Sequence, residues 1–422
     1  MNILIKSAKI IAPNKSYDQL TKDILIIDGV ITKIEDQIET TEKVTTISLD
    51  NLHVSQGWFD SSVCFGEPGF EDRETIENGL DTAALSGYTA VAVNPNTHPI
   101  ADTNADIGFI KSKGASKATS LYPIAALTTK SEGVDLAELY DMKNAGAVAF
   151  GDYQSPIANP NLLKIALQYA QNFNGLVLSF PMENKVIGKG VVNEGAISTK
   201  LGLKGIPGLS EELQIVRDLF ILEYTGGKLH IPTISTKLSV ELIKQAKKKG
   251  LDISCSVALA NLVLNDGELE DFDTNYKVLP PLRTETDRKA LVEGVKDGVI
   301  DFVTSDHNPI DIENKNVEFD HALFGTIGLE ASFGLLLQQL PLETVIKTLT
   351  SGKERFGVPE LSIEVGNIAN LTLFDPEQSY KFEKSDILSL SKNCAFIGQT
   401  LKGKVFGIIA NNLMQLKNDI NL

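Results

Sequence analysis

Cysteine is scarce in this sequence, with 3 residues among 422. Three thiols cannot build a disulfide framework, so we expect the reducing environment of the cytoplasm. The hydrophobic share of 42% is nevertheless ample for a packed core. The chain is long enough for two ordinary domains, or for one large α/β barrel with an appendage.

Basic residues and long apolar runs are also lacking. The 39 Lys and Arg residues are outnumbered by 55 Asp and Glu residues, which gives a formal charge of −16. Nucleic-acid binding needs clustered basic residues, so this balance argues against it. No apolar run reaches the ~18 residues of a membrane span. Residues 1–6 alternate as a strand does and lack a signal-peptide core. We predict a cytoplasmic protein that binds neither nucleic acid nor membrane.

The middle of the chain repeats one plan, in which a short apolar run is followed by a stretch of helical period. Eight candidate strands can be counted: 58–65, 89–95, 121–127, 147–152, 176–182, 228–235, 252–258 and 301–306. Strands that alternate with helices predict a parallel (β/α)₈ barrel of the TIM type. A doubly wound open sheet is the competing architecture. No Gly-x-Gly-x-x-Gly follows the early strands, which weakens a dinucleotide-binding interpretation.

Both ends of the chain have a residue pattern that differs from that of the middle. Residues 2–11 and 23–34 are rich in β-branched side chains, and an Asp28-Gly29 turn in the second run indicates a hairpin. Residues 370–375 and 403–409 also read as short strands. We therefore predict a small β domain composed of residues 1–54 and 361–422, built around a barrel of residues 55–360.

The strand ends carry the informative motifs, because catalytic groups of such barrels lie at the C-terminal ends of the strands. The motifs are Glu67-Pro-Gly-Phe70, Glu74-Thr-Ile76, Pro95-Asn-Thr-His-Pro99, Glu194-Gly195, Ser235-Thr-Lys237, Pro280-Pro-Leu-Arg283, Ser305-Asp-His307 and Gly328-Leu-Glu330. In this order they resemble the bacterial type I dihydroorotases, which are metal-dependent cyclic amidohydrolases. The resemblance covers essentially the whole chain and implies their barrel with its composite β domain.

The departures from the family pattern fall on its metal ligands. Alignment places Ser62, Cys64, Phe180 and Thr233 where the family has zinc-binding histidines. With five histidines in the chain, a shifted alignment cannot restore the first-strand pair. Of the family's ligand positions, only the carboxylates Asp152 and Asp306 remain. Asp306 matches the family's catalytic base, and we expect it to be vestigial.

The family's substrate contacts are depleted as well. The arginine that pairs with the substrate carboxylate is replaced by Gly66, and the asparagine and histidine further on by Leu279 and Ile310. Asn96 is the recognisable substrate-binding residue that remains. Catalytic zinc needs at least three protein ligands, so we predict no metal cofactor and little or no dihydroorotase activity.

Three functions remain open. The first is a non-catalytic dihydroorotase homologue of pyrimidine biosynthesis, since homologues without the histidine pair resemble structural partners of aspartate transcarbamoylase. The second is an active, divergent dihydroorotase or cyclic amidase with a rearranged zinc site formed from Asp152, Asp306, Cys64 and His307. The third is a metal-free small-molecule binder that uses the barrel mouth around Asn96. The resemblance also implies a homodimer.

Overall fold

A computed structural model describes residues 1–13, 15–418 and 420. Its strands are β1 (Ile3–Ile11), β2 (Thr21–Ile27), β3 (Val30–Glu35), β4 (Thr45–Ile47), β5 (His53–Gln56), β6 (Trp58–Val63), β7 (Tyr88–Val93), β8 (Ser120–Ala125), β9 (Ala149–Phe150), β10 (Leu176–Leu178), β11 (Val192–Asn193), β12 (Gly205–Ile206), β13 (Lys228–Ile231), β14 (Ile253–Ala258), β15 (Phe302–Thr304), β16 (Leu371–Lys381), β17 (Thr400–Ala410) and β18 (Leu413–Leu416).

The helices connect and cover these strands. They are α1 (Ile76–Leu85), α2 (Asn104–Lys113), α3 (Leu139–Ala145), α4 (Pro160–Ala170), α5 (Asn184–Ile187), α6 (Ala196–Leu201), α7 (Gly208–Thr225), α8 (Lys237–Lys248), α9 (Leu259–Val263), α10 (Glu285–Lys296), α11 (Ile312–Lys315), α12 (Ser332–Gln339), α13 (Leu342–Thr350) and α14 (Gly352–Phe356). No helix within the described ranges has both the length and the apolar character needed to cross a membrane.

Eight parallel strands form the barrel, in the order β6-β7-β8-β9-β10-β13-β14-β15. Every residue of β6, β7 and β14 is buried, as expected for parallel strands that are covered on both faces. The predicted (β/α)₈ barrel is thus confirmed. Each of the eight strands is shorter than predicted. In the predicted range 147–152, for example, the strand spans Ala149–Phe150, and a turn that begins at Tyr153, with a left-handed φ of +53°, follows two residues later.

The termini form a second sheet, in the order β18-β17-β16-β5-β1-β2-β3, with β4 paired to β1. Strands β2 and β3 are antiparallel neighbours, and their turn has positive φ at both Asp28 and Gly29. That is the backbone of a type I′ hairpin, so the hairpin predicted from this dipeptide is confirmed. The buried isoleucines of this sheet make a core of their own.

A buried polar network fixes the start of α8 to α7. Glu211 of α7 accepts hydrogen bonds from the backbone nitrogens of Ser235 (2.7 Å) and Thr236 (3.1 Å) and from the Ser239 hydroxyl (2.6 Å). Arg283 lies 3.9 Å from this carboxylate and is itself buried. The network therefore holds the segment after the sixth barrel strand, which carries Thr233, against the neighbouring helix.

We expect Glu211→Ala to lower the free energy of unfolding by about 3–5 kcal/mol, because it leaves the Arg283 guanidinium buried without its counter-charge. Urea unfolding monitored by circular dichroism measures the effect. Glu241→Ala, on the exposed side of α8, is the control and should change stability by less than about 0.5 kcal/mol. Equal effects of the two substitutions would contradict the assignment.

Candidate functional site

The site lies where the first and last strands of the barrel meet. The Asp60 carboxylate of β6 accepts a hydrogen bond from the backbone nitrogen of Ser305 (2.9 Å) and another from the Thr304 hydroxyl. The backbone nitrogen of Cys64 donates to the His307 carbonyl (2.7 Å). These bonds close the seam between β6 and β15. They place Ser62 and Asp306 on facing sides of one small pocket.

Ser62 and Asp306 bond to each other inside that pocket. The Ser62 hydroxyl donates to Oδ1 of Asp306 (2.8 Å), and the Asn94 amide donates to the Ser62 hydroxyl (2.9 Å). The Tyr153 hydroxyl lies 3.5 Å from the same carboxylate oxygen. The side chain in the first family-histidine position is therefore a partner of the carboxylate that the family uses as a base.

The environment of Asp306 favours the protonated form of its carboxyl. Burial raises the pKa of its carboxyl to about 7. The hydrogen bond from Ser62 opposes this rise, and the nearby Asp60 carboxylate adds to it. No cation is among the groups that influence the Asp306 carboxyl. Near neutral pH the residue is thus shared between its protonated and ionised forms.

Cys64 lies beside this pair but is not a thiolate. Burial, together with the Asp306 charge, raises the pKa of its thiol to about 12. The thiol has hydrogen-bond contacts with Asn94 (3.6 Å) and Asn96. A metal ligand or nucleophile must be the thiolate, so Cys64 has the properties of a small buried side chain.

Asp152 lines the pocket, but its carboxylate binds the preceding loop. Its Oδ1 accepts from the backbone nitrogens of Leu127 (2.9 Å) and Thr128 (3.0 Å), and its Oδ2 accepts from the Thr128 hydroxyl (2.6 Å). Both carboxylate oxygens are therefore engaged by the protein itself. The residue has a structural role at the end of β9.

Phe180 and Thr233 complete the lining. Phe180 is buried and packs with Met182 and Ile206, so it occupies its position with an apolar ring. The backbone nitrogen of Thr233 donates to the Ser256 hydroxyl (3.3 Å). The cavity that remains has a volume of about 20 Å³. That space accommodates roughly one water molecule, whereas small-molecule pockets measure about 300–1,000 Å³.

Three residues of this lining have left-handed backbone conformations. The φ angles of Tyr153, Thr233 and Asp306 are +53°, +50° and +46°, and each costs about 1–3 kcal/mol in residues with a Cβ. Such conformations cluster at functional sites. The barrel thus has the strained backbone of a working site around a cavity that its own side chains fill.

The predicted substrate contact is separated from this cavity. Asn96 reaches Cys64 but does not line the cavity. At Gly66, in the position of the family arginine, a Cβ would lie 2.1 Å from the carbonyl oxygen of Phe70. No side chain fits there without a backbone shift, so the loop is incompatible with an arginine in this position.

The histidines near the site have other partners. Nδ1 of His307 accepts from the backbone nitrogens of Gly328 (3.2 Å) and Leu329 (3.4 Å), and burial lowers its pKa to about 4. His230 lines the cavity, bonds to Ser254 (2.9 Å) and Ser256 (3.2 Å), and stacks on Phe302. Burial lowers the pKa of His230 as well. Both rings are neutral and already engaged.

Sequence reasoning missed Asn94, Tyr153 and Gln154 as parts of the site. Asn94 connects Ser62 to Cys64, and Gln154 bonds to the Leu279 carbonyl (2.8 Å) across the barrel mouth. Asn94 is the first residue after β7, so its position at a strand end was an available signal. For Tyr153 and Gln154 the signal was weaker, because their inward orientation depends on the left-handed turn.

These residues do not fit a zinc ion. Asp306 is bonded to Ser62, Asp152 to the Leu127-Thr128 backbone, and the thiol of Cys64 stays protonated. Across residues 1–13, 15–418 and 420, no group of three or more His, Cys, Asp or Glu side chains could hold a metal ion. Catalytic zinc requires three such ligands, so no chemical step can be derived through a metal here.

Comparison with solved structures identifies the fold class of the chain. The L-hydantoinase (dihydropyrimidinase) from Arthrobacter aurescens superposes with a TM-score of 0.87, covering 100% of this chain and 97% of the other at 21% identity. A D-hydantoinase from Thermus sp. superposes with a TM-score of 0.81 at 20% identity, covering 99% and 95% of the two chains. The chain therefore has the barrel fold of the cyclic amidohydrolases.

Comparison of sequences then identifies the family to which the chain belongs within this fold class. The model of the family described as "Dihydro-orotase-like" matches residues 53–239. The dihydroorotase of Pelotomaculum thermopropionicum is 39% identical, with 100% of both chains covered. That of Ruminiclostridium cellulolyticum is 37% identical, with 96% of both covered. The chain belongs to the dihydroorotase family, which confirms the resemblance inferred from its motifs.

We expect Asp306→Asn to stabilise the protein at pH 8 by about 1–4 kcal/mol relative to wild type. The folded-state pKa of Asp306 lies above its unfolded value. The native state therefore holds an extra proton between pH ~4 and ~7, and stability falls as pH rises through that window. Asparagine cannot ionise, so the variant avoids this loss of stability. Its amide oxygen still accepts the hydrogen bond from Ser62. The difference from wild type should vanish near pH 4.

Urea unfolding at pH 4 and pH 8 measures this difference. Asp311→Asn is a control of opposite sign, because hydrogen bonds from Asn314 and the charge of Arg73 (2.9 Å) lower the pKa of the Asp311 carboxyl. The ionised Asp311 carboxylate stabilises the protein at pH 8, and this contribution is lost as pH falls. The Asp311→Asn variant should therefore have a lower free energy of unfolding than wild type at pH 8. An Asp306→Asn variant less stable than wild type at pH 8 would show that the carboxylate is held charged.

Proposed function

We propose that this member of the dihydroorotase family binds no zinc, has no dihydroorotase activity and serves pyrimidine biosynthesis as a structural partner of aspartate transcarbamoylase. The absence of zinc and of dihydroorotase activity is inferred from the side chains that occupy the pocket. Ser62 bonds directly to Asp306, Phe180 fills a ligand position, and about 20 Å³ remains. A pocket of that size has no room for a ring-shaped substrate, and its carboxylates Asp152 and Asp306 are bonded to protein partners instead of being free for a metal.

Energetics explain how such a pocket remains folded. Four buried imidazoles without a metal would each leave polar atoms unpaired, at about 1–3 kcal/mol per group. The Ser62 hydroxyl is hydrogen-bonded to Asp306 and Asn94, and the Phe180 side chain has no polar atom to satisfy. The reaction of the family requires a metal to lower the pKa of water from 15.7 towards ~7. The substitutions favour stability of the barrel at the expense of that chemistry.

The rearranged-enzyme alternative needs Asp152, Asp306, Cys64 and His307 to converge. Their hydrogen bonds are directed elsewhere: Asp152 to Thr128, His307 to Gly328 and Asp306 to Ser62. The small-molecule-binder alternative needs a cavity next to Asn96, a residue that lies outside the lining of the 20 Å³ space. Neither alternative is favoured by a contact in this structure.

The role beside aspartate transcarbamoylase is inferred from the family resemblance. A folded, non-catalytic barrel can still present a rigid surface on which another enzyme assembles. The formal charge of −16 favours a partner with complementary basic surface, because such complementarity accelerates association and sets orientation.

The first experiment is zinc content combined with turnover. After incubation with zinc and desalting, we expect far less than one equivalent per chain by elemental analysis, with carbonic anhydrase carried through the same steps as a positive control. Dihydroorotate hydrolysis should be absent under conditions in which the Pelotomaculum thermopropionicum dihydroorotase turns over. Stoichiometric zinc, or turnover abolished by Asp306→Ala, would instead support the divergent enzyme.

The partnership has its own test. Mixed with aspartate transcarbamoylase from the same organism, the purified chain should co-migrate in size-exclusion chromatography as a complex larger than either component. Raising the salt concentration should weaken the complex if charge complementarity steers it, since screening lengths shorten from about 10 Å at 0.1 M to 3 Å at 1 M. Two separate peaks at low salt would argue against the partnership, whatever the outcome of the zinc measurement.

A further inference from the structure

A second cavity lies at the N-terminal end of the barrel, opposite the pocket that contains Ser62 and Asp306. Its floor is formed by the first residues of three barrel strands, which are Lys228 of β13, Ile253 of β14 and Phe302 of β15. Its volume is about 630 Å³, within the range of about 300–1,000 Å³ that is usual for small-molecule sites. This space, called the basal cavity below, is therefore large enough for a ligand that the pocket cannot hold.

Three helices form the walls of the basal cavity and contribute most of its positive charge. Lys296 lies in the last turn of α10, Lys347 in the last turn of α13 and Arg355 in α14. Together with Lys228 on the floor, they place four cationic side chains around one space. The chain as a whole has a formal charge of −16, so this concentration of cations is contrary to its overall charge balance.

Most of the carboxylates in the lining are neutralised by other groups. Asp301 pairs with Lys247 (2.6 Å), a residue outside the lining. Asp252 pairs with Arg355. The third carboxylate of the lining, that of Glu354, belongs to an exposed residue. Two of the three negative charges are thus already compensated, and they are not available to the lysines of the cavity.

Two lysines of the basal cavity have no carboxylate partner. Within the described residues, no carboxylate oxygen lies within 4.0 Å of the ammonium group of Lys228 or Lys347, whereas Lys296 pairs with Glu293 (2.8 Å). A lysine in the last turn of a helix complements the helix macrodipole, which accounts for the position of Lys347. Lys228 begins a strand and has no such role. Its charge therefore has no structural counterpart among the described residues.

A neighbouring lysine adds to this uncompensated charge. Burial lowers the pKa of the Lys143 ammonium group on α3, and the positive charge of Lys228 lowers it further. No carboxylate is among the groups that influence Lys143. Two neighbouring cations without an anion between them repel each other. A bound anion would relieve this repulsion.

The lining is suited to a phosphate group and not to an aromatic ring. Thr344 and Thr348 of α13 place hydroxyl groups in the same lining as Lys347. Ammonium and hydroxyl groups are common partners of phosphate oxygens. Among the described lining residues, Phe302 is the only aromatic one, and it is 2% exposed. It offers no ring face on which a nucleobase could stack, so the lining favours a phosphorylated molecule without a stacked base.

Space for the rest of such a molecule lies beside Lys228. A neighbouring cavity of about 480 Å³ shares Lys228 and Asp252 with the basal cavity. It is also lined by Gly226, Gly227 and Gly250, which lack side chains. Lys228 therefore lies between two open spaces, one for the phosphate and one for the group that carries it.

We propose that the basal cavity binds a small phosphorylated molecule, whose phosphate lies between Lys228 and Lys347. The inference goes beyond the proposed function, because it requires neither aspartate transcarbamoylase nor any property of the pocket around Asp306.

Isothermal titration calorimetry of the full chain with inorganic phosphate and with ribose 5-phosphate tests the proposal. Both should bind saturably, with one site per chain, in a chloride buffer of constant ionic strength. Ribose without phosphate should not bind, and succinate, which carries two carboxylates, should bind much more weakly than phosphate. A lack of saturable phosphate binding would overturn the proposal. Equal binding of succinate and phosphate would overturn the assignment of a phosphate site.

The double variant Lys228→Met, Lys347→Met tests the position of the site. It removes both ammonium groups and keeps most of each methylene stem. Phosphate should bind about tenfold more weakly or less, since each charge-assisted hydrogen bond contributes on that scale. The matched control is Lys33→Met, Lys189→Met, which removes two charges at exposed positions outside the cavity and should bind as wild type does.

Circular dichroism checks that both double variants are folded. Unchanged phosphate binding by the variant without Lys228 and Lys347 would overturn the proposed position. Equal weakening in the two double variants would show a general effect of net charge instead of a site.

Chemical modification locates the bound anion independently of any substitution. Lysines are acetylated with a small reagent in the presence and absence of saturating phosphate, and the modified peptides are quantified by mass spectrometry. Phosphate should slow the acetylation of Lys228 and Lys347 and leave that of Lys33 unchanged. Protection confined to lysines outside the basal cavity would overturn the proposal.

Discussion

The site depends on one buried carboxylate, that of Asp60. It accepts from the backbone of Ser305 and from the Thr304 hydroxyl, and so holds together the two strands whose sequence separation is greatest in the barrel. Burial raises its pKa, and the hydrogen bonds that close the seam lower it. Without this junction, Ser62 and Asp306 would have no fixed relation to each other.

The two carboxylates at the family's ligand positions both have partners within the protein. Asp306 accepts hydrogen bonds from the hydroxyls of Ser62 and Tyr153. Asp152 finds its partners in the backbone of Leu127 and Thr128. The left-handed conformation of Asp306, Tyr153 and Thr233 remains. The backbone conformation at the site is set by the fold of the barrel, whereas the reaction that a site can catalyse depends on the identity of individual side chains.

Much of the fold was predictable because it rests on local patterns. The Asp28-Gly29 dipeptide specifies its hairpin through the φ angles that those residues tolerate. The barrel strands are apolar runs separated by helical periods, which sequence reveals directly. The strand ends were less well predicted, since the turn at Tyr153 depends on the barrel around it. Gln154, which bridges to the Leu279 carbonyl, could not have been found from its neighbours in sequence.

The sequence by itself determined the family and the identity of the side chains at the positions where the family has zinc-binding histidines. Serine, phenylalanine and threonine lack a metal-binding imidazole in any fold, so that conclusion needed no coordinates. Only the tertiary structure decided what those side chains do instead. Ser62 and Asp306 are 244 residues apart and bond only because the barrel closes. Likewise, only packing showed that α7 is covered on the face that carries Ile215 and Leu222, because helical period alone does not distinguish an outer apolar face from an inner one.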